Sequence, residues 1–581
     1  MTARWQTFCV LGLLMAGTNQ TLHSVPPENP RHPVDLPTFT RDIAPIIFQN
    51  CSSCHRPGQS APFSLLNCAD VKKHMKKIAE VTARRYMPPW LPEPGYGDFA
   101  GLLRLSADQI RLIQQWTSQG GVEGEPNELP PLPKWSEDWL LGEPDLIVTM
   151  PLSYTLPAEG KDVYRNFVIP TSLATRRYVK AVEFRPGNPK IVHHAFLYID
   201  RTRQSRRLDG KDGAPGFPGM KTPDGVQMPE GHFLVWQPGK LPSPEPEGLS
   251  WALEKGSDLV LQMHLRPSGK PEPIQSRVGF YFTDTPPTST CFKLALASLT
   301  IDLPPGSTNS LVVDDFVLPV DVHVLGVLPH AHYLCKEMQG FATLPNGTRK
   351  WLILIKDWDF NWQRDYRYAT PVFLPRGTRL EMRYTFDNST NNLRNPNHPP
   401  KRVRYGPQSA DEMAELWFQL LPRNRADLDI LAQGYSVKMR QTFADHAEYL
   451  LRLDPENVKA HTELAVTRLA QGQIEEAQRH LRSAIRIDRS DDQPHYYLGL
   501  IFRQQRKLDE ARSEFETALR LNPDNAKAHG NLGVIFAEQG NAELAEAHLR
   551  DALRINPDDA LARECLNELL KTKSTPPKKS L

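Results

Sequence analysis

Residues 258–265 read DLVLQMHL and residues 379–386 read RLEMRYTF, two short runs in which apolar and polar side chains alternate. Alternation with a period of two places one set of side chains on each face of a β-strand. From about residue 136 to residue 437, comparable runs lie between Pro, Gly and Asn turns, and long helical patterns are nearly absent. We therefore predict two antiparallel all-β sandwiches, the first over residues 138–287 and the second over residues 288–437.

The chain after residue 437 changes to a helical pattern that repeats. Leucines recur 34 residues apart from Leu464 to Leu566, and alanines keep this spacing at positions 477, 511 and 545 and at 484, 518 and 552. A period of about 34 residues with small side chains between paired helices is typical of tetratricopeptide repeats. We predict an α-solenoid of these repeats over residues 438–572, with a concave face for a protein partner or for self-association.

The N-terminal residues have the pattern of a signal peptide. Arg4 precedes an apolar run that is too short to span a membrane, although no small-x-small cleavage triplet follows it. A buried N-terminal helix is the alternative interpretation of this run. We predict that residues 1–24 are removed and that the protein is exported to the periplasm or the extracellular space.

A small helical unit and a linker lie between the signal peptide and the sandwiches. The last helix of the unit has a Ser106–Gln109 capping box at its start and Gly120–Gly121 at its end. We predict an all-α domain over residues 25–125. Residues 126–137 are rich in Pro and have the composition of an extended linker. A linker of this length would confine the small domain to the neighbourhood of the first sandwich.

Composition and charge exclude several classes of protein. The net charge is +2 and the one basic block lies in the tail, residues 573–581, so nucleic-acid binding has no electrostatic support. After the signal peptide, no run approaches the roughly 18 apolar residues of a membrane span. Seven cysteines are too few for a disulfide scaffold in a chain of 581 residues, although Cys291 and Cys335 can pair in an exported protein.

Residues 51–55 read CSSCH, a C-x-x-C-H motif. In c-type haem proteins the two thiols of this motif bind the haem vinyl groups and the histidine binds the iron. A zinc site is the alternative for a C-x-x-C pair, but no second cysteine pair lies nearby in the sequence. The motif therefore predicts one covalent haem on Cys51, Cys54 and His55. From its TFTRDIAPIIFQNC segment through its last helix, the domain resembles a small class I cytochrome c.

The sixth ligand of such a haem is a thioether or a second imidazole. Met87 lies in the segment RRYMPPW, where Pro88 and Pro89 restrict the backbone beside it. His74 and Met75 lie in the basic stretch VKKHMKK, where we expect both side chains to face solvent. We therefore predict Met87 as the axial ligand.

The β region carries five histidines and one methionine in strand-like segments. They are His193 and His194 in KIVHHAFLYID, His264 in DLVLQMHL, His330 and His332 in LPHAHYL, and Met413 in ADEMAEL. Imidazoles with a thioether favour copper, which cycles between Cu(II) and Cu(I), over zinc, for which a thioether is a poor ligand. The H-x-H pair shares one face of a strand, whereas two adjacent histidines can bind one metal only at a strand end or a β-bulge.

The order His-His, Q-x-H, H-x-H and D-E-M resembles the ligand order of the copper type II, ascorbate-dependent monooxygenases. This family includes peptidylglycine α-hydroxylating monooxygenase and dopamine β-monooxygenase, and the resemblance runs from about residue 139 to about residue 425. It implies two jelly-roll-like sandwiches whose coppers face each other across a solvent gap. It assigns an electron-transfer copper to the first sandwich and an oxygen-binding copper to the second: His193, His194 and His264 for the former, and His330, His332 and Met413 for the latter.

The chain also departs from this family. The haem and repeat domains are not part of the animal enzymes, and the region between the motifs is shorter, so peptide or catecholamine substrates are not carried over. His232, His323 and His398 have no role in the resemblance, and we predict structural roles for them. Met338 and Met382 are rival thioethers that lack the D-E-M context.

Our leading hypothesis is an exported copper-dependent monooxygenase that hydroxylates a C–H bond with O2. The fused haem is expected to replace ascorbate as the electron source, because a c-type haem carries one electron at a time. One alternative is a copper and haem electron relay without oxygenase activity, docked to a partner through the repeats. A scaffold that binds no copper is the other.

Overall fold

The computed structural model describes residues 36–57, 59, 61–134, 139–223, 225–229, 231–238, 240–556 and 559–574. The predicted signal peptide and the end of the basic tail lie outside these residues. The described chain runs from a helical unit through a region of many strands to a series of paired helices. Among the described residues, none of the helices is long and apolar enough to cross a bilayer.

The N-terminal unit, residues 36–134, is helical. A π-helical turn leads into α1, and two longer helices and a 3-10 turn follow: Phe39–Ile43, α1 (Ala44–Asn50), α2 (Cys68–Ala83), α3 (Ala107–Ser118) and Pro126–Glu128. The predicted capping box at Ser106 and Gln109 is present at the start of α3. The helices enclose a core of their own, which includes Phe39, Ile47 and Trp116.

The first sandwich consists of two sheets packed face to face, with a small pair of strands beside them. Its strands are β1 (Leu146–Thr149), β2 (Tyr154–Leu156), β3 (Val163–Pro170), β4 (Arg177–Arg185), β5 (Val192–Asp200), β6 (Phe217–Pro218), β7 (Val226–Gln227), β8 (Val235–Trp236), β9 (Trp251–Leu253), β10 (Asp258–Leu265), β11 (Glu272–Ile274) and β12 (Arg277–Thr283). One sheet has the order β1-β12-β4-β9, and the other has the order β6-β3-β10-β5-β7 with β8 on β5. Strand β10 is the DLVLQMHL segment, and its polar face is buried as well as its apolar face.

The second sandwich repeats this two-layer arrangement. Its strands are β13 (Phe292–Ala297), β14 (Asp302–Leu303), β15 (Ser310–Val317), β16 (Val322–Ala331), β17 (Cys335–Thr343), β18 (Arg349–Ile355), β19 (Tyr366–Leu374), β20 (Arg379–Phe386), β21 (Val403–Arg404) and β22 (Ala414–Pro422). The two sheets have the orders β13-β22-β16-β19 and β15-β20-β17-β18. A 3-10 turn, Phe360–Trp362, lies between β18 and β19.

The helical region begins earlier than predicted. Helix α4 starts at Arg425, inside the range assigned to the second sandwich, because the Asn424 side chain caps the N–H of Asp427. The helices of this region are α4 (Arg425–Leu453), α5 (Val458–Ala470), α6 (Ile474–Ile487), α7 (Asp492–Gln504), α8 (Leu508–Leu521), α9 (Ala526–Glu538), α10 (Ala542–Ile555) and α11 (Ala560–Ser574). The alanines of the 34-residue period are fully buried where paired helices meet.

Part of the N-terminal unit belongs to the wall of the second sandwich. Residues 88–104, between α2 and α3, leave the helices and run along β18 and β19. Phe99 forms a β-bridge with Tyr368, and the N–H of Glu93 donates to the carbonyl of Leu354 at 2.8 Å. The unit is therefore fixed on the second sandwich by its own loop, a contact that the expected position beside the first sandwich did not include.

Cys291 and Cys335 do not form a disulfide. Both are buried free thiols, and the other described cysteines are free as well. Cys291 packs in a small cluster with Leu249 and Leu325, whereas Cys335 lies in the core of the second sandwich. The two thiols belong to different packing clusters, so no bond joins them.

Candidate metal and haem sites

Two neighbouring strands bring the first three histidines together. His193 and His194 lie on β5, His264 lies on β10, and the ladder pairs His264 with His194. The next pair is Leu265 with Val192, so His193 is the extra residue of a β-bulge. This bulge is the local geometry that two adjacent histidines need in order to share one metal.

The three imidazoles converge, and we call them the first cluster. One ring nitrogen from each lies within 4.8 Å of the others, and the Nδ1 atoms of His193 and His194 are 3.2 Å apart. Two nitrogens bound to one metal at about 2.0–2.1 Å lie about 2.9–3.4 Å apart. Within the described residues, this is the one group of three or more His, Cys, Asp or Glu side chains close enough to hold a metal ion.

His264 has one hydrogen-bonded nitrogen and one without a partner. Its ring is fully buried, its Nε2 atom lies 2.8 Å from Asp162 Oδ2, and Tyr164 stacks on it with centroids 4.2 Å apart. No described group forms a hydrogen bond with its Nδ1 atom. A buried polar atom without a partner is costly, and a carboxylate on the far nitrogen is the usual arrangement behind a metal-bound imidazole. The first cluster thus fits a metal ion.

Asp162 also joins the two sandwiches. Its Oδ2 atom accepts a hydrogen bond from the hydroxyl of Ser409, in the loop that precedes β22. Burial opposes ionisation of this carboxyl, but the hydrogen bonds from His264 and Ser409 and the charge of Arg266 lower its pKa to about 2. Asp162 therefore stays ionised and orients His264.

The second cluster consists of His330, His332 and Met413. His330 lies near the end of β16, His332 follows that strand, and Met413 directly precedes β22. The ladder pairs Ala331 with Ala414, which makes His332 and Met413 neighbours on adjacent segments. The rings of His330 and His332 have centroids 5.4 Å apart.

Protein oxygens engage the Nδ1 atoms of both histidines in the second cluster. Gln363 Oε1 contacts that of His330, and the carbonyl of Asp411 lies 3.1 Å from that of His332. Such contacts fix the tautomer and leave Nε2 as the nitrogen for a metal. Burial, and then the neighbouring His330, lowers the pKa of His332 to about 3, so this imidazole is neutral at physiological pH.

Glu412 fastens the two segments of the second cluster to each other. Its carboxyl group accepts the backbone N–H groups of His332 at 2.6 Å, Leu334 at 2.8 Å and Met413 at 2.9 Å. Burial raises the pKa of Glu412 to about 8 in spite of these donors. Glu412 therefore positions His332 and Met413 relative to each other.

The rival thioethers lie away from the clusters. Met338 on β17 and Met382 on β20 are fully buried in the apolar core of the second sandwich. The histidines with predicted structural roles have these surroundings: His232 is buried 3.1 Å from a carboxylate oxygen of Glu245, His323 is exposed beside Phe373, and His398 is exposed. Met413 therefore remains the thioether beside His332.

The side chain of Phe360 lies between the two clusters. Its ring stacks on His193 with centroids 4.5 Å apart and meets the ring of His332 edge-on at 5.3 Å. Phe360 is 1% exposed. The resemblance implies a solvent gap between two copper sites, but a buried aromatic ring separates these two histidines here.

The C-x-x-C-H residues form one helical turn after α1. The N–H groups of Cys54 and His55 both donate to the carbonyl of Cys51, at 3.2 Å and 2.9 Å. The Nδ1 atom of His55 lies 3.1 Å from the carbonyl of Phe63, which leaves Nε2 as the nitrogen for a metal. Two free thiols one turn apart and an oriented imidazole fit a c-type haem.

The surroundings of the predicted sixth ligand differ from expectation. Met87 is half-buried in a small cleft between α2 and α3. The expectation that His74 and Met75 face solvent is wrong, because both are half-buried. The ring of His74 stacks on Phe63 at 3.9 Å, and Phe63 in turn contacts the ring of His55 at 4.8 Å. His74 therefore joins Met87 as a candidate sixth ligand.

A cleft of about 630 Å³ opens beside Cys54, where the N-terminal unit meets both sandwiches. Clefts of about 300–1,000 Å³ accommodate small molecules and cofactors. A group carried by Cys54 therefore has free volume next to it. Charged side chains from all three units line the cleft: Arg56, Glu183, Arg185, Lys240 and Arg367.

Sequence reasoning missed Asp162, Phe360 and Gln363, which contact the clusters from distant parts of the chain. Gln363 lies 33 residues from His330, and Asp162 lies 102 residues from His264. No local pattern marks any of the three. Glu412 of the D-E-M segment was the supporting residue that the sequence could have indicated, because a buried carboxylate needs hydrogen-bond donors and the adjacent backbone supplies them.

Comparison with known proteins identifies the helical repeats. Family models described as tetratricopeptide repeat match residues 444–499 and 496–560, which confirms the predicted repeats. Two crystal structures of MamA are similar at 20% identity and a TM-score of 0.22. One match covers 24% of this chain and 83% of that one, and the other covers 25% and 80%. No curated protein matches the chain.

Proposed function

We propose that this protein is an exported copper-dependent monooxygenase, which inserts one oxygen atom of O2 into a C–H bond of an organic substrate. The observation that supports this most is the pair of histidine clusters on facing sandwiches, one of three imidazoles and one of two imidazoles with a thioether. The order of these ligands resembles that of the copper type II, ascorbate-dependent monooxygenases.

The first cluster has the donors of an electron-transfer copper site. The unpartnered Nδ1 of His264 supports metal binding independently of the resemblance, because a buried nitrogen without a hydrogen bond gains most from a metal ion. His193 and His194 supply the other two nitrogens. Asp162 holds the His264 ring in place from its far side.

The second cluster has the donors of an oxygen-binding site. When bound, copper supplies O2 activation and one-electron chemistry there. The soft thioether of Met413 favours Cu(I), and His330 and His332 present their Nε2 atoms because Gln363 and Asp411 engage the other nitrogens. The substrate would bind beside this cluster.

The N-terminal unit would hold the electron source, a c-type haem. Cys51 and Cys54 would bind the porphyrin, and His55 would bind the iron, with Met87 or His74 as the sixth ligand. The haem supplies one electron at a time, which matches copper. The tetratricopeptide repeats indicate a protein partner or self-association.

The test is a metal analysis followed by O2 uptake. From a host that matures c-type haem, the purified chain should carry one covalent haem and about two copper ions. A panel of organic compounds should then include one that accelerates O2 consumption and gains one oxygen atom. Copper well below two per chain, or a haem lost on a denaturing gel, would contradict the proposal. Full metal content with no substrate-dependent uptake would favour the electron relay.

A further inference from the structure

Residues 360–363, which we call the 360–363 turn, contact three parts of the molecule. Phe360 meets both histidine clusters, as described above. Asn361 Oδ1 lies 3.3 Å from a guanidinium nitrogen of Arg266 on the first sandwich. Trp362 contacts the N-terminal unit, and Gln363 contacts the second cluster. One short turn thus links the N-terminal unit to both clusters.

The contact with the N-terminal unit is an aromatic pair. The ring of Tyr86 meets the ring of Trp362 at 6.1 Å with an interplanar angle of 74°. Tyr86 directly precedes Met87, a candidate haem ligand. The loop over residues 88–104, paired with β18 and β19, fixes this position. The pair therefore lies where the N-terminal unit meets the second sandwich.

The contact with the second cluster follows at once in the chain. Trp362 is bonded to Gln363, whose Oε1 atom contacts Nδ1 of His330. From Tyr86 to His330 there is one ring contact, one peptide link and one side-chain contact. On the other side of the turn, Phe360 joins His332 to His193 through its ring.

The N-terminal unit has a different relation to the first sandwich. Cys54 shares the 630 Å³ cleft with Glu183 and Arg185 of β4. Strand β4 belongs to the sheet β1-β12-β4-β9, whereas the histidines of the first cluster lie on β5 and β10 of the opposite sheet. Leu197 of β5 and Val235 of β8 also line the cleft, but none of the three histidines of the first cluster does.

We infer that electrons from the haem unit reach the second cluster first, through Tyr86, Trp362 and Gln363, and pass to the first cluster through Phe360. The inference rests on the proposed function for the presence of haem and copper. One electron moves: a ferrous haem becomes ferric as one Cu(II) becomes Cu(I), and no atom is transferred. The linker alone predicted only that the small domain lies near the first sandwich, which carries the first cluster.

The first experiment uses the full-length protein with its haem and copper loaded. The haem is reduced, the copper is oxidised, and haem reoxidation is followed by its absorbance without O2. Trp362→Leu should lose the fast phase that is independent of protein concentration. Trp351→Leu is the matched control, because Trp351 makes a similar contact with Tyr96 at 4.9 Å but does not lead to a cluster. An unchanged rate in Trp362→Leu, or an equal loss in Trp351→Leu, would overturn the inference.

The second experiment identifies the acceptor and does not depend on the tryptophan. His330→Ala should abolish the fast haem reoxidation. His264→Ala should retain it, although its Cu(II) EPR signal before the reaction should be weaker because the first cluster is empty. Gln363→Leu should slow it without removing copper. If His264→Ala abolishes reoxidation and His330→Ala retains it, the first cluster is the acceptor and the inference fails. Fast reoxidation without any substrate oxidation would instead leave the inference standing and contradict the monooxygenase proposal.

Discussion

The two histidine clusters lie on facing sandwiches, but their imidazoles are held in different ways. In the first cluster, a β-bulge turns His193 toward His194, and the Nδ1 atoms point at one another. In the second, His330 and His332 are two residues apart on an extended segment, and protein oxygens contact both Nδ1 atoms. The first therefore presents Nδ1 to a metal, and the second presents Nε2.

This difference indicates which cluster is complete before a metal binds. The second cluster has its imidazoles oriented by Gln363 and Asp411, and Glu412 fastens His332 to Met413. The first has an unpartnered nitrogen on His264. We infer that a metal contributes more to the order of the first cluster, and the predictions below test this contrast.

The largest effect is expected from His264→Ala. It removes one of three ligands and the residue whose free nitrogen requires a partner, so copper should fall from about two ions to about one per chain. Inductively coupled plasma analysis of the purified variant measures this. His323→Ala, at an exposed histidine outside both clusters, should keep both ions. Retention of two ions in His264→Ala would mean that the three imidazoles do not form one site.

A more selective effect is expected from Met413→Leu. The change conserves volume and should cost less than about 1.5 kcal/mol of stability. It removes the thioether from the second cluster while His330 and His332 remain. Substrate oxidation should collapse, whereas the first cluster and the haem should still be reduced, as absorbance and EPR would record. Met338→Leu is the matched control, because Met338 is buried in the apolar core. Equal loss in both variants would assign the effect to packing.

The sequence predicted the components of the fold and site better than their arrangement. Alternation predicted the strands of the sandwiches, and the 34-residue period predicted the repeats, because both patterns are local. The ligand order predicted which histidines the structure brings together. The β-bulge at His193 could be stated only as a condition, because it depends on the register of β5 against β10.

Long-range packing accounts for what the sequence could not predict. The loop over residues 88–104 pairs with strands more than two hundred residues away, so its composition suggested no partner. Phe360 and Gln363 reach the clusters only because β18 and β19 frame their turn. The early start of α4 is different, since Asn424 and Asp427 form a readable capping signal that the boundary at residue 437 overlooked.

The smallest effect concerns the two carboxyl groups that support the clusters, whose pKa values shift in opposite directions. The pKa of Asp162 is lowered from 3.8 to about 2, so its contribution to stability is present above pH 3.8 and is lost as the pH falls through 2. The pKa of Glu412 is raised from 4.5 to about 8, so its contribution is present below pH 4.5 and is lost as the pH rises through 8.

Thermal unfolding of the metal-free protein between pH 2 and pH 9 tests this contrast. Asp162→Asn should be less stable than the wild type near neutral pH, by about 2 kcal/mol or a few degrees in Tm, and the difference should shrink toward pH 2. Glu412→Gln should be less stable than the wild type near pH 4.5, because its amide NH2 group would face a backbone N–H donor. This deficit should shrink as the pH approaches 8, because Gln avoids a buried charge. Asp284→Asn, at a fully exposed site, is the control and should follow the wild type throughout. If the stability of both variants relative to the wild type changes with pH in the same direction, the opposite pKa shifts of Asp162 and Glu412 are contradicted. Burial would then dominate at both sites.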